Sequence, residues 1–220
     1  MYVEPAGIAG ASFYQHNVES MPDFVRRYSA VEEGEAVNYV IADSRASLVW
    51  VVNLGVIAQN PFSSRVERLD SPDYIVFDLD PNEASYELVC ETALLMRGVL
   101  EEAGLRAYPK TSGSEGIHIY LPIKPIYTHA QAYAFGEIAA NVAAARRPDI
   151  ATVERIVKAR GKGKVYVDYM QNVQGKTVTS AYSVRAVPGA QVSAPLEWSE
   201  VQSCVPMREF TMRTIPARIL

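Results

Sequence analysis

The sequence predicts an α+β fold, with a mixed or antiparallel central sheet flanked by helices. Short apolar runs bounded by turn residues recur at 37–41, 74–80, 106–110, 117–123 and 165–169, and such runs read as strands. Two longer stretches, 85–103 and 128–147, carry helix start signals instead. The two kinds of element alternate without a strict strand–helix–strand rhythm, so a doubly wound parallel sheet fits less well.

Residues up to about Tyr28 show no periodicity and read as loop with short elements. Residues 37–41 are a strand candidate. Asp43 and Ser44 then offer N-caps for the apolar segment 48–58, whose type its periodicity leaves open. Residues 74–80, Tyr-Ile-Val-Phe-Asp-Leu-Asp, form a buried-looking strand, and Pro81 ends it because proline cannot donate to a ladder. Ser85 opens the clearest helix, which Gly104 stops. Strands at 106–110 and 117–123 flank a Gly-containing loop. Thr128 and Gln131 have capping-box spacing ahead of an Ala-rich helix to about Arg147. A strand at 165–169 and another at 180–187 follow, with Pro188-Gly189 as a turn.

At 220 residues the chain is long enough for an ample core, and we read 1–220 as a single domain. Its 49% hydrophobic and 21% charged residues are globular values, which exclude a disordered or fibrous chain. No apolar run reaches the roughly 18–20 residues of a membrane span. The start has no basic region followed by an apolar stretch, so a cytoplasmic setting without a membrane partner is expected. Cys90 and Cys204 lack metal-ligand spacing and read as plain core or surface thiols. A net charge of −4 carries no global nucleic-acid signature, so any such binding rests on local patches.

Chemistry concentrates in a few segments. Asp78 and Asp80 lie two apart in a strand and so point the same way. Two adjacent acids are unfavourable without a cation or proton between them, and hard oxygen ligands favour Mg²⁺ or Mn²⁺. Residues 110–120, Lys-Thr-Ser-Gly-Ser-Glu-Gly-Ile-His-Ile-Tyr, can present N–H groups and hydroxyls to an anion, with Lys110 adding charge and His118 on the polar face beyond. A plain hairpin loop explains the same residues. Asp168 ends its strand and can complete a three-carboxylate site, or serve as a turn residue. Arg155, Lys158, Arg160, Lys162 and Lys164 form a basic stretch suited to a triphosphate or a nucleic-acid backbone, or simply to solvent. Arg185 is a lone arginine in an apolar strand and calls for an anionic partner.

In order along the chain, hhhDhDP, SGxxGhHhY and hhhD resemble the archaeo-eukaryotic primase superfamily, specifically the polymerase domain of bacterial ATP-dependent DNA ligase D and its stand-alone relatives. The segments 13–15, 48–50, 53–55, 60–62, 168–172, 181–186 and 195–198 match that family as well, so the likeness covers nearly the whole chain. The resemblance implies a single primase-polymerase catalytic domain in which Asp78, Asp80 and Asp168 bind two catalytic ions, Mn²⁺ or Mg²⁺. It implies that Ser112, His118, Gln171 and Arg185 contact a nucleoside triphosphate, with Asn60 in the same pocket and Lys110 assisting. It further implies template-directed extension of a primer with a preference for ribonucleotides. The setting would be gapped or broken DNA at the nucleoid, in non-homologous end joining with Ku and an ATP-dependent DNA ligase.

Three departures qualify it. The family's portion ahead of Phe13-Tyr14-Gln15 is absent, so a shortened form or fragment is expected. His16-Asn17 stands where the family commonly has a lysine gripping a 5′-phosphate, a task for which protonated His16, Arg26 or Arg27 can substitute. Glu115 replaces a basic residue of the loop, shifting phosphate binding toward Lys110 and the basic stretch, and we expect Lys162 and Lys164 to meet DNA. A haloacid-dehalogenase-type phosphatase and a non-catalytic DNA-end-binding module are the alternatives.

Overall fold

The computed structural model describes residues 1–32 and 34–219. Residues 1–59 with 186–188 make one compact unit, and 60–185 with 189–220 another.

In the first unit, β1 (Tyr2–Val3) pairs antiparallel with β2 (Phe13–Tyr14), and β3 (Arg26–Glu32) with β4 (Glu35–Ile41). α1 (Arg45–Asn53) follows, capped by Ser44, whose Oγ accepts from the Ser47 N–H while Ser47 Oγ accepts from the Ser44 N–H. The segment left open by its periodicity is therefore helical as far as Asn53. A small core of Val3, Val51 and Val56 holds this unit. β3 is mostly exposed on both faces, so no alternation marks it in the sequence.

The second unit runs β5 (Tyr74–Asp80), α2 (Tyr86–Glu102), β6 (Tyr108–Thr111), β7 (Ile117–Pro122), α3 (His129–Arg146), β8 (Ala151–Thr152), β9 (Val165–Asp168), α4 (Trp198–Gln202) and α5 (Ile215–Ile219). Five strands form one sheet in the order β6-β7-β5-β9-β8, antiparallel throughout except for the parallel β8–β9 pair. This is the mixed sheet of an α+β fold.

Alternation sorts the sheet into two chemically different faces. Ile75, Phe77, Leu79, Ile117, Ile119, Val165 and Val167 point one way into the main core, against Val89, Ala93 and Met96 of α2 and Ala139, Ala140 and Ala143 of α3. Each large side chain buried there contributes about 1.5–3 kcal/mol. The other face carries Lys110, His118, Asp78, Asp80 and Asp168. Capping fixes where the helices begin: Ser85 Oγ accepts from the Leu88 N–H, and Thr128 with Gln131 forms the expected capping box.

One expectation fails, and one element is unforeseen. Residues 180–187 are not a strand, because Tyr182 adopts φ +65° and the segment doubles back, with the Tyr182 N–H donating to Ser193 O and the Arg185 N–H to Gln191 O. β8 is unforeseen, since two residues cannot establish a period. Cys90 is a core thiol as expected, and Cys204 Sγ donates to Cys90 Sγ at 2.8 Å, linking α2 to the turn after α4. Among the described residues no helix is long and apolar enough to cross a membrane.

Candidate active site

The polar face is organised by register. Cross-strand partners share a face, and Lys110 pairs with His118, His118 with Asp78, and Asp78 with Asp168. One row of side chains therefore crosses four strands, base to acid. Asp80 lies two residues further along β5, opposite Tyr166.

The Lys110–His118–Asp78 part of that row is a buried chain of contacts. Lys110 Nζ lies 2.9 Å from His118 Nδ1 and donates to Ser193 Oγ, which in turn donates to Thr111 O at 2.8 Å. His118 Nε2 lies 3.3 Å from Asp78 Oδ1. Lys110 is 4% exposed and His118 3%, while 31% of the Asp78 side chain remains open. Burial pulls the Lys110 ammonium down to about 7, with Asp78 opposing and Arg185 adding to the shift. Burial also lowers the His118 imidazolium despite the raising pull of Asp78. For Asp78 burial would raise the carboxyl, but the His118 hydrogen bond and the charges of Lys110 and Arg185 outweigh it and hold it below the usual range.

On the other side each acid has its own partner. Asp168 Oδ1 accepts from the Met170 N–H at 2.7 Å and Oδ2 from Gln171 Nε2 at 2.9 Å. Asp80 Oδ1 accepts from the Asn82 N–H at 3.3 Å, and its Oδ2 lies 3.6 Å from Arg160 Nη1. Arg160 stacks on Tyr166 at 3.8 Å from the ring centroid and is pinned by the carbonyls of Glu154 and Arg155. Among the described residues no three His, Cys, Asp or Glu side chains converge closely enough to hold a metal ion as they stand. The backbone brings the acids to neighbouring strand ends, and protein donors turn their oxygens apart. The donor set still fits a hard divalent cation. It is all carboxylate, and Asp168 faces Asp78 with no basic side chain in ion-pair reach among the described residues.

A cleft of about 250 Å³ opens over Asp78, Asp80, Ser112, Glu115, His118 and Arg185. Its loop wall is tight. Ser112 Oγ accepts from the Ser114 and Gly116 N–H groups at 3.1 and 2.9 Å, so two donors expected for an anion already serve the loop itself. Gly113 sits at φ +76°, where a Cβ would come 2.6 Å from Arg185 Cγ. At Gly116 a Cβ would lie 2.2 Å from Leu79 O, so only glycine lets the loop cross β5 there. Arg185 Nη1 donates to Ser112 O at 3.1 Å and to Thr179 Oγ1 at 2.9 Å, and Thr179 Oγ1 donates to Asn60 Oδ1.

Several expected contacts land elsewhere. Lys110 does not reach the cleft, because its ammonium is turned into Ser193 and His118. Gln171 bears on Asp168. In the first unit His16 lies 2.9 Å from Glu32, which also accepts from Tyr39 Oη, and Arg26 donates to Asp43 at 2.5 Å. His16 and Arg26 are thus engaged by carboxylates, whereas Arg27, Lys162 and Lys164 make no ion pair among the described residues. Sequence reasoning misses Asn172, Thr179 and Ser193. Asn172 continues the pairing of β5 where β9 stops: its Oδ1 accepts from the Val76 N–H and its Nδ2 donates to Val76 O, both at 2.8 Å. A polar residue one turn past Asp168 is its only trace in the sequence.

The chain is 33% identical to the bifunctional non-homologous end joining protein LigD of Bacillus subtilis, over 98% of this chain and 35% of that protein. It is 31% identical to the multifunctional LigD of Pseudomonas aeruginosa, over 98% of this chain and 26% of that protein. It thus spans about a quarter to a third of these relatives. The polymerase domain from Mycobacterium tuberculosis ligase D, solved in complex with DNA, superposes with a TM-score of 0.88 at 27% identity, covering 99% of this chain and 79% of that one. The family model of the LigD primase-polymerase domain matches residues 1–220, and the chain belongs to that family.

Proposed function

We propose that this chain is a template-directed nucleotidyltransferase that adds nucleotides, ribonucleotides by preference, to a primer 3′-hydroxyl at gapped or broken DNA ends. The register of the sheet carries the reading: Asp78 and Asp168 are direct cross-strand partners, with Asp80 on the same face beside the Ser/Gly loop and Arg185. The reading takes 1–220 as one catalytic domain acting in the cytoplasm at the nucleoid. Its partners are DNA and nucleoside triphosphates, with Ku and an ATP-dependent DNA ligase in end joining. Family membership leaves the phosphatase alternative without support.

The primer 3′-oxygen bonds to the α-phosphorus, the bond from that phosphorus to its bridging oxygen breaks, and pyrophosphate and the hydroxyl proton depart. Asp78, Asp80 and Asp168 would hold two divalent ions, Mn²⁺ or Mg²⁺, which would supply activation of the hydroxyl and neutralisation of charge on the leaving oxygens. The chain's own groups position the rest. Arg185, fixed through Nη1 to Ser112 O and Thr179 Oγ1, has Nε and Nη2 to offer a phosphate. Ser112 keeps the loop closed, His118 brings Nε2 to the cleft, and Arg160 offsets the charge of Asp80. Gln171 and the Met170 N–H orient Asp168. Such preorganised donors are worth most where water is excluded.

The test is extension of labelled primers on gapped, overhanging and unprimed templates, with each nucleotide type and with Mn²⁺ or Mg²⁺. Nucleotide addition stimulated more by Mn²⁺ is expected. Asp80→Ala should abolish it with the fold intact, because Asp80 is exposed and removing it relieves repulsion. Full activity in that variant removes the metal-site assignment, and binding of ends with no addition in any arm identifies the non-catalytic module instead.

A further inference from the structure

We infer that Lys110 is a positioning residue that fixes the tautomer of His118. This rests on the nucleotidyltransferase reading of the cleft, but its geometry stands by itself. As an ammonium Lys110 has only donors to offer, and its Nζ lies 2.9 Å from His118 Nδ1. An acceptor is what that donor requires, so Nδ1 carries the lone pair and the proton sits on Nε2. The opposite edge of the ring agrees: Nε2 lies 3.3 Å from the Asp78 carboxylate, an acceptor that a bare nitrogen lone pair would repel. Lys110 is in turn held from behind by Ser193 Oγ and Thr111 O, and its ammonium stands 5.4 Å over the Tyr120 ring. Its place at 4% exposure, outside the cleft lining, leaves it no direct part in binding.

The consequence is chemical. A histidine beside a carboxylate can ligate a cation through an unprotonated ring nitrogen, and which nitrogen is free is set by the bond that the other makes. With Nδ1 occupied by Lys110, His118 enters the cleft as an N–H donor, suited to an anionic oxygen and unsuited to a metal. Lys110 thereby keeps the imidazole from taking a coordination place at the acid cluster. It also aims the imidazole at whatever phosphate the cleft receives.

Long-range ¹H–¹⁵N spectra of the histidine rings in the wild-type protein at neutral pH test this without any need for activity. His118 should show an unprotonated Nδ1 and a protonated Nε2; the reverse tautomer or a doubly protonated ring overturns the inference. Lys110→Met, close in shape to the lysine stem, should let the Nδ1-protonated tautomer appear beside the one that Asp78 alone still favours, and lower kcat/KM for nucleotide addition about 10–100-fold. In a His118→Ala background the same substitution should change kcat/KM less than about twofold. Multiplicative losses in the double variant would mean that Lys110 acts independently of the ring and would overturn the proposal. Correct tautomer signals in a protein that adds no nucleotide leave the positioning claim standing and sink the polymerase reading instead.

Discussion

The two flanks of β5 treat one carboxylate in opposite ways. Toward β7, Asp78 meets His118, which is backed by Lys110 and Ser193, so charge and hydrogen bonds are matched all the way into the protein. Toward β9 it meets a second acid, Asp168. Like charges directly opposite on a sheet are destabilising, and among the described residues Asp168 itself has neutral donors and no ion-pair partner. The β7 flank is built to hold, and the proposed function has a cation complete the β9 flank. Where a sequence breaks a local rule without local compensation, function is the usual reason.

Substituting across the two flanks should separate these roles most strongly. Asp168→Asn keeps an acceptor for the Met170 N–H but removes the opposing charge. Nucleotide addition should fall by at least about 10²–10³-fold, while stability stays level or rises by up to about 1 kcal/mol. His118→Ala should do the reverse to stability, lowering it by about 1–3 kcal/mol, because Lys110 loses an acceptor in a buried place. Urea midpoints for both variants check the signs, and a destabilised Asp168→Asn would break the contrast.

The β9 flank has a fastening of its own in Asn172. Its side chain makes both bonds to the Val76 backbone beyond the end of β9 and a third to Tyr169 O at 2.7 Å. Asn172→Ala leaves the buried Val76 N–H and C=O without partners, at about 1–3 kcal/mol each. Amide exchange should quicken in β5 near Val76 and after β9, while β6 and β7 stay protected. Equal loosening across the sheet would deny the flanks their independence.

The compensated flank also leaves a trace in pH. The Lys110 ammonium is drawn down to about 7 by burial, against about 10.4 in an unfolded chain. Between those values the unfolded state binds more protons, so stability rises with pH. Below about pH 7 the burial penalty is present in full; above it the penalty is relieved. Wild type should therefore gain roughly 1–3 kcal/mol relative to Lys110→Met between pH 7 and 9. A difference that stays flat over that window would show that the ammonium is not penalised by its surroundings.

What was legible in the sequence follows burial. β5 and β7 announce themselves because one face is packed and the other carries polar groups, so Phe77 and Leu79 alternate visibly with Asp78 and Asp80. The caps at Ser85 and Thr128 were legible because a helix start needs a side-chain acceptor of that kind. β3 was not, since an exposed hairpin strand places no constraint on side-chain order. The shared face of Asp78 and Asp80 could be read from spacing, but their meeting with Asp168 depends on which strands neighbour one another, and local pattern carries no pairing information. Lys110 looked like a ligand for phosphate because charge is visible in a sequence and burial behind His118 is not. Ser193 and Thr179 come from a segment whose turns hide any period, so their approach to Lys110 and Arg185 emerges only in three dimensions.

The smallest expected effect tests whether the neutral donors on the β9 flank matter at all. Gln171 Nε2 gives Asp168 one half-buried hydrogen bond, and the Met170 N–H remains when it is lost. Gln171→Ala should therefore cost about 0.5–1.5 kcal/mol in stability, less than Asn172→Ala because no buried group is orphaned. Its kinetic signature should be a rise in the concentration of divalent cation needed for half-maximal addition, by a few fold, with the rate at saturating cation preserved. A carboxylate freed from a competing donor but less well aimed responds in that way. If the substitution instead lowers the rate at saturating cation while leaving nucleotide KM raised, Gln171 touches the nucleotide itself, and the partition between the two flanks must be redrawn with Gln171 on the binding side.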